Sequence, residues 1–190
     1  APMPRDWSVF IHLNDPVIGA PVAQRDMYPG RGLLATSLLR PGQLLVDRYV
    51  IPVPGATYAP ATAELVVGLY DYATWERLRT PDGRDAIALA AVEIQPGSAG
   101  SYPNPVDYNF GHQLSLVGYS IEPRRLRAGE TLSLVLYWRA AAGMQRDYTV
   151  FTHVRDLDDP SNRLYAQQDA APQGGTTSWR PGEVVSQTYQ

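Results

Sequence analysis

The chain has 190 residues, of which 44% are hydrophobic and 18% charged, with no cysteine and a net charge of -3. These values place it in the globular range and exclude a disulfide scaffold, a thiolate metal site and a spanning helix, for which no apolar run of about 18 residues is present. The negative balance and the lack of a basic cluster exclude the electrostatic footprint of a nucleic-acid-binding protein.

All 16 basic residues are Arg, which GC-rich coding explains as well as selection for bidentate contacts does. The opening APMPRD reaches a strand-like segment at once, without a charged region and apolar core of a signal peptide, as expected of a segment of something longer. With 17 Pro, 16 Gly and 12 Tyr, and short apolar stretches between turn signals, the pattern predicts strands rather than helices.

The first predicted strand is DWSVFIHL (6–13), where Trp7, Val9, Ile11 and Leu13 alternate onto one face, expected to be the core face. It is followed by VAQRDMYPGRG (22–32) and ATSLLRPGQLLVDRY (35–49), then by AELVVGLYD (63–71) and AIALAAVEI (86–94). A stretch rich in Gly, Pro, Ser and Asn, GSAGSYPNPVDYN (97–109), reads as a junction, with a boundary near Tyr102. Beyond it come QLSLVGYS (113–120) and TLSLVLYWRA (131–140), the latter with Leu132, Leu134, Leu136 and Trp138 on one face.

The segments that follow repeat the start of the chain. DYTVFTHV (147–154) aligns without a gap on DWSVFIHL, so that Asp147 matches Asp6; YAQQDAAPQGG (165–175) answers VAQRDMYPGRG, and TTSWRPGEVVSQTY (176–189) answers ATSLLRPGQLLVDRY. Taken together, a full unit contains about seven short strands, the count of an immunoglobulin-like sandwich. The expected fold is therefore an all-β, immunoglobulin-like β-sandwich built from two partial copies of one repeat. Residues 1–102 carry strands C, C′, E, F and G of one copy, and residues 103–190 carry A, B, C, C′ and E of the next. Incomplete sandwiches leave apolar faces and edges open, so self-association or strand exchange within or between chains is expected.

The stretches LSLVGYSIEPRRLRAGETLSLVLYWRA, DYTVFTHVRD, AQQDAAPQGGTTSWRPGEVV and LVVGLYDYATWERL resemble the repeats that follow the membrane-spanning part of large bacterial glycosyltransferase-like proteins of the dolichyl-phosphate-mannose mannosyltransferase type. The resemblance implies a β-sandwich accessory domain on the extracytoplasmic side, without an activity of its own, the glycosyl transfer residing in the membrane part. Two departures stand out. Leu39 replaces, in the first copy, the Trp179 of the second. A turn that the resemblance leads one to expect as Y-D-P-A-T-G-E-R-L reads Tyr70, Asp71, Tyr72, Ala73, Thr74, Trp75, Glu76, Arg77, Leu78.

No G-x-S-x-G elbow, H-E-x-x-H or phosphate loop is present, so the chain is expected to be non-catalytic and without cofactor. His12 and His153 recur at equivalent positions with Asp26 and Asp169 within reach across a strand pair; the pair could form an acid-base or metal site, but only two residues are suitable and the arrangement recurs in both copies, as a packing device does. The acidic loop with Asp156, Asp158 and Asp159 concentrates oxygen ligands of the kind calcium takes, but its Asp, Pro, Ser and Asn are also ordinary turn residues. Tyr72 and Trp75, with Glu76 and Arg77 beside them, form the candidate carbohydrate platform, because exposed aromatic faces stack on the apolar face of a sugar. Two functions are thus in view: a structural or interaction module of a larger membrane-associated protein, and a carbohydrate-binding module presenting glycan to a membrane glycosyltransferase.

Overall fold

The computed structural model describes residues 3–97, 102–156 and 158–190. The protein is all-β: the described residues form ten strands and two short 3-10 turns, and every strand pairing is antiparallel. The chain divides into two compact units, Ala1–Gln95 and Pro96–Gln190. Tyr102 belongs with the second unit, where its ring lies 5.3 Å from that of Tyr137. The division therefore falls earlier than the expected boundary near Tyr102; residues 98–101 of the expected junction lie outside the described residues.

In the first unit, β1 (Ser8–Asp15), β2 (Ala20–Met27), β3 (Ala61–Tyr70) and β4 (Ile87–Ile94) form one sheet in the order β2-β1-β3-β4. β1 is central and is buried from both sides: Trp7 and Leu13 on the expected face are 5% exposed, but Phe10 on the opposite face is 2% exposed. The expectation that only the Trp7, Val9, Ile11 and Leu13 face is core is corrected here. Gly68 pairs with Phe10 across the β1–β3 ladder and, lacking a side chain, leaves room for the ring. A Cβ at Gly68 would stand 2.2 Å from Phe10 Cζ and 2.8 Å from the Asp85 carbonyl oxygen. Val66, Tyr70 and Ala86 complete the packing around Phe10, and the Arg77 guanidinium caps its ring at 4.6 Å.

Val9, Val67, Leu69, Leu78 and Ile87 line an open apolar recess of about 330 Å³ on the other face of this sheet. Residues 43–50, expected as strand E of the first copy, form no strand, and Leu44, Val46 and Val50 are 87%, 86% and 74% exposed. The physical reason lies in the matching segment of the second unit, which becomes a strand by pairing with a neighbour that the first unit does not contain. Instead, Asp47 Oδ2 accepts a hydrogen bond from Gly30 N–H at 2.8 Å and ties the segment to an earlier turn. Burial works against ionisation of Asp47, but the amides of Gly30 and Arg48 outweigh it and lower its pKa; burial, then the Asp47 charge, pushes the Tyr49 phenol up to about 12.

The second unit holds a sheet of β5 (Tyr108–Phe110), β6 (Leu114–Glu122), β7 (Ser133–Ala140) and β10 (Val184–Tyr189) in the order β10-β7-β6-β5, with a separate hairpin of β8 (Val150–Arg155) and β9 (Leu164–Ala170). β5 is too short and too near the junction to carry a periodic signal, and sequence reasoning did not anticipate it. Leu136 and Trp138 alternate onto the inner face of β7 and pack with Leu114, Ala140, Met144, Trp179 and Tyr189; Val150 of β8 and Ala170 of β9 lie against this cluster. Gly118 sits at a bulge in the β6–β7 ladder, where a Cβ would meet Tyr102 Cβ at 2.7 Å. The core of this unit also buries Trp138 Nε1 and Tyr189 Oη without hydrogen-bond partners among the described residues, and burial raises the Tyr189 pKa.

Candidate functional site

The aromatic loop follows β3 directly. Asp71 shapes it: its Oδ1 accepts hydrogen bonds from Ala73 N–H at 2.9 Å and Thr74 N–H at 3.3 Å, and its main chain closes the loop through Trp75 N–H to Asp71 O at 2.8 Å and Asp71 N–H to Glu76 O at 2.9 Å. The Ala73 amide, then the Arg5 guanidinium, holds the Asp71 carboxyl below the usual range. Arg5 bridges Asp71 at 3.1 Å and Glu76 at 2.8 Å.

This closure places Trp75 at φ +61, a left-handed conformation that costs a side chain of this size about 1–2 kcal/mol and that glycine adopts freely. The indole stacks on Tyr70, with ring centroids 5.4 Å apart and planes 16° from parallel. Tyr70 is buried, whereas Trp75 is 70% and Tyr72 61% exposed. One indole face thus rests on the core of the first unit while the ring stays open to solvent, with Tyr72 tilted beside it at 6.1 Å. Of the other two candidates, Glu76 is held by Arg5, while Arg77 reaches Asp85 at 3.3 Å and turns its guanidinium onto Phe10. Trp75, Tyr72 and Glu76 are therefore brought together, and Arg77 serves the core. Sequence reasoning missed Tyr70 and Arg5. The Tyr70 signal was the i, i+5 aromatic spacing to Trp75; Arg5 stands at the other end of the unit's sequence from Glu76 and left no local trace.

The acidic loop is arranged as turns. Asp156 accepts from Asp158 N–H at 3.0 Å and from the Tyr165 hydroxyl at 2.8 Å, and Asp159 accepts from Ser161 N–H at 2.8 Å. Leu157 lies outside the described residues. Among the described residues, no group of three or more His, Cys, Asp or Glu side chains is placed to hold a metal ion.

A further set of interactions occurs in both units. His12 Nε2 lies 3.1 Å from Asp26 Oδ1, and His153 Nε2 lies 3.7 Å from Asp169 Oδ1. Thr36 Oγ1 accepts from Trp7 N–H at 2.8 Å, and Thr176 Oγ1 from Tyr148 N–H at 2.9 Å; both threonines are buried at the start of a 3-10 turn. Asp6 Oδ1 accepts from Ser37 N–H at 2.9 Å, and Asp147 Oδ1 from Thr177 N–H at 2.8 Å. Gly175 at φ +72 leaves space for the second carboxylate, which a Cβ there would meet at 2.6 Å.

These amides hold both the Asp6 and the Asp147 carboxyl below the usual range. A carboxyl whose pKa is lower folded than unfolded stabilises the fold above its unfolded pKa of about 3.9, and that stabilisation is lost as pH falls through the lowered folded value. The melting temperature is expected to fall with acidification below about pH 4, and the gap between the parent and an Asp147→Ala variant to narrow there. Melting curves across pH read both effects; a gap independent of pH contradicts this role for the carboxylate.

Compared with family models, curated proteins and solved structures, the chain gives no significant match.

Proposed function

We propose that this protein is a non-catalytic structural and interaction module made of two partial copies of one immunoglobulin-like repeat, which belongs to the extracytoplasmic side of a larger bacterial membrane-associated protein. The observation that supports the repeat reading is the recurrence of one set of contacts at matching positions of the two units: Asp accepting from a turn amide, Thr accepting from a strand amide, and His beside Asp, at 3.1 Å in the first unit and 3.7 Å in the second. A His–Asp contact present in both copies suits packing better than a single active centre. No helix among the described residues is long and apolar enough to cross a membrane. The extracytoplasmic placement rests on the sequence resemblance.

Self-association is the activity expected of such a module, because each unit leaves apolar surface open: the recess beside Val9 and Val67 in the first, the hairpin bearing Phe151 in the second. Light scattering after gel filtration tests this. An apparent molar mass that rises above the monomer value with concentration is expected, and a monomer mass throughout the accessible range overturns self-association.

The second reading, a carbohydrate-binding module, is favoured by Trp75: a large aromatic occupies a backbone position suited to glycine and remains 70% exposed. The indole face would stack on the apolar face of a pyranose, with Glu76 and Arg5 at its polar edge. Trp75→Gly separates stability from binding. Relief of the left-handed strain is expected to offset the lost stacking on Tyr70, leaving the melting temperature equal or higher, while glycan binding on an array of neutral oligosaccharides is lost. Equal binding by parent and variant, or none by either, removes this reading.

A further inference from the structure

We infer that the open edge of β8 is an acceptor site for one extended strand of a defined kind: a β3-type strand that places glycine opposite Phe151. The inference rests on the reading of the two units as copies of one repeat and specifies the partner such a copy takes.

The two hairpins share one register. In β1–β2, Val9, Phe10, His12 and Leu13 face Met27, Asp26, Gln24 and Ala23; in β8–β9, Val150, Phe151, His153 and Val154 face Ala170, Asp169, Gln167 and Ala166. The difference lies on the other edge. β1 is flanked there by β3, whereas β8 has β9 as its only neighbour among the described residues. An unpaired edge presents a row of main-chain donors and acceptors that a further strand can complete.

Side chains specify which strand fits. Phe10 is 2% exposed because β3 brings Gly68 opposite it, with Tyr70 and Arg77 around the ring; Phe151, in the same place on β8, is 70% exposed. Phe151 also keeps the tilted contact that Phe10 makes with the neighbouring histidine, at 5.1 Å to His153 against 4.9 Å to His12. Ser8 stands opposite Tyr70 in the β1–β3 ladder, and the matching position in the second unit is Thr149, again a hydroxyl. The second unit thus retains the groups that meet β3 in the first. In the first unit a Cβ at Gly68 would stand 2.2 Å from the Phe10 ring, so a strand seated on β8 as β3 is on β1 needs glycine opposite Phe151. The specificity therefore resides in a glycine flanked by apolar residues, with a tyrosine two positions on.

The probe is a synthetic peptide of residues 61–78 added to the isotope-labelled full chain, with amide shifts and hydrogen exchange read residue by residue. Shifts and new protection in Val150–Arg155 are expected, with β1 unchanged. They are expected to be lost with a peptide carrying Gly68→Val and weakened in a Phe151→Ala chain, whose substitution lies on the surface. No change in β8 at millimolar peptide, equal binding of the Gly68→Val peptide, or changes at β1 in place of β8 each overturns the inference. Self-association seen by light scattering without peptide binding leaves the proposed function standing and removes only this site.

Discussion

Phe10→Ala is expected to destabilise the first unit by about 3–5 kcal/mol, whereas Phe151→Ala is expected to change stability by less than about 0.5 kcal/mol. The two residues occupy matching positions on β1 and β8 and differ in exposure, 2% against 70%. Truncating Phe10 removes a fully buried ring and leaves a cavity between Val66, Tyr70 and Gly68, with Arg77 deprived of the face it covers. Truncating Phe151 removes a ring that water already reaches. Urea unfolding of the two variants, followed by residue-resolved amide signals so that the units are read separately, checks the pair. Similar losses from both substitutions contradict the account, because they require Phe151 to be packed.

The second large effect belongs to Gly68. A valine there has no room: its Cβ meets the Phe10 ring and the Asp85 carbonyl, and the latter is main chain that moves only with the strand. Overpacking of this kind costs about 1–3 kcal/mol and more when backbone must shift. Gly68→Val is therefore expected to destabilise the first unit strongly in the parent but by less in a Phe10→Ala background, where the ring is gone. The same urea series on the double variant measures the coupling. A cost that is identical in both backgrounds indicates that Gly68 is needed for its backbone rather than for the space it gives to Phe10.

Much of the architecture was legible in the sequence, and the residues show why. Period-two alternation in TLSLVLYWRA put Leu136 and Trp138 on one face, and both are buried in the cluster of the second unit. Matching stretches in the two halves go with matching hydrogen bonds at the 3-10 turns, since the recurring Asp and Thr are the side chains that fix those turns. Alternation misled at β1, where Phe10 is buried on the face opposite Trp7 and Leu13. A strand central to its sheet and covered on both sides carries no clean period, and only Gly68 on the neighbouring strand, remote in sequence, betrays the ring's place. Residues 43–50 failed for a different reason. Their pattern is that of a strand, but a strand forms only against a partner, and the segment that pairs with the matching β10 is β7, present once in the chain.

At the candidate site, Tyr72 and Trp75 stand out in the sequence as aromatics in a turn, and their exposure is a matter of local backbone that sequence reports well. Arg77 is their polar neighbour in sequence, yet its guanidinium covers Phe10. Nothing local decides which way a long side chain at a loop end points. That choice depends on Asp85 and Phe10, brought near by the β1–β3 and β3–β4 pairings.

Amide hydrogen exchange across β1 and β8, at a concentration at which the chain is monomeric, tests most directly that the two hairpins are the same element with and without its third strand. Continuous protection along Ser8–Asp15 is predicted, with protection along Val150–Arg155 at alternate residues only, those whose amides face β9. Continuous protection along both strands would contradict it, since β8 would then have a neighbour on its second edge.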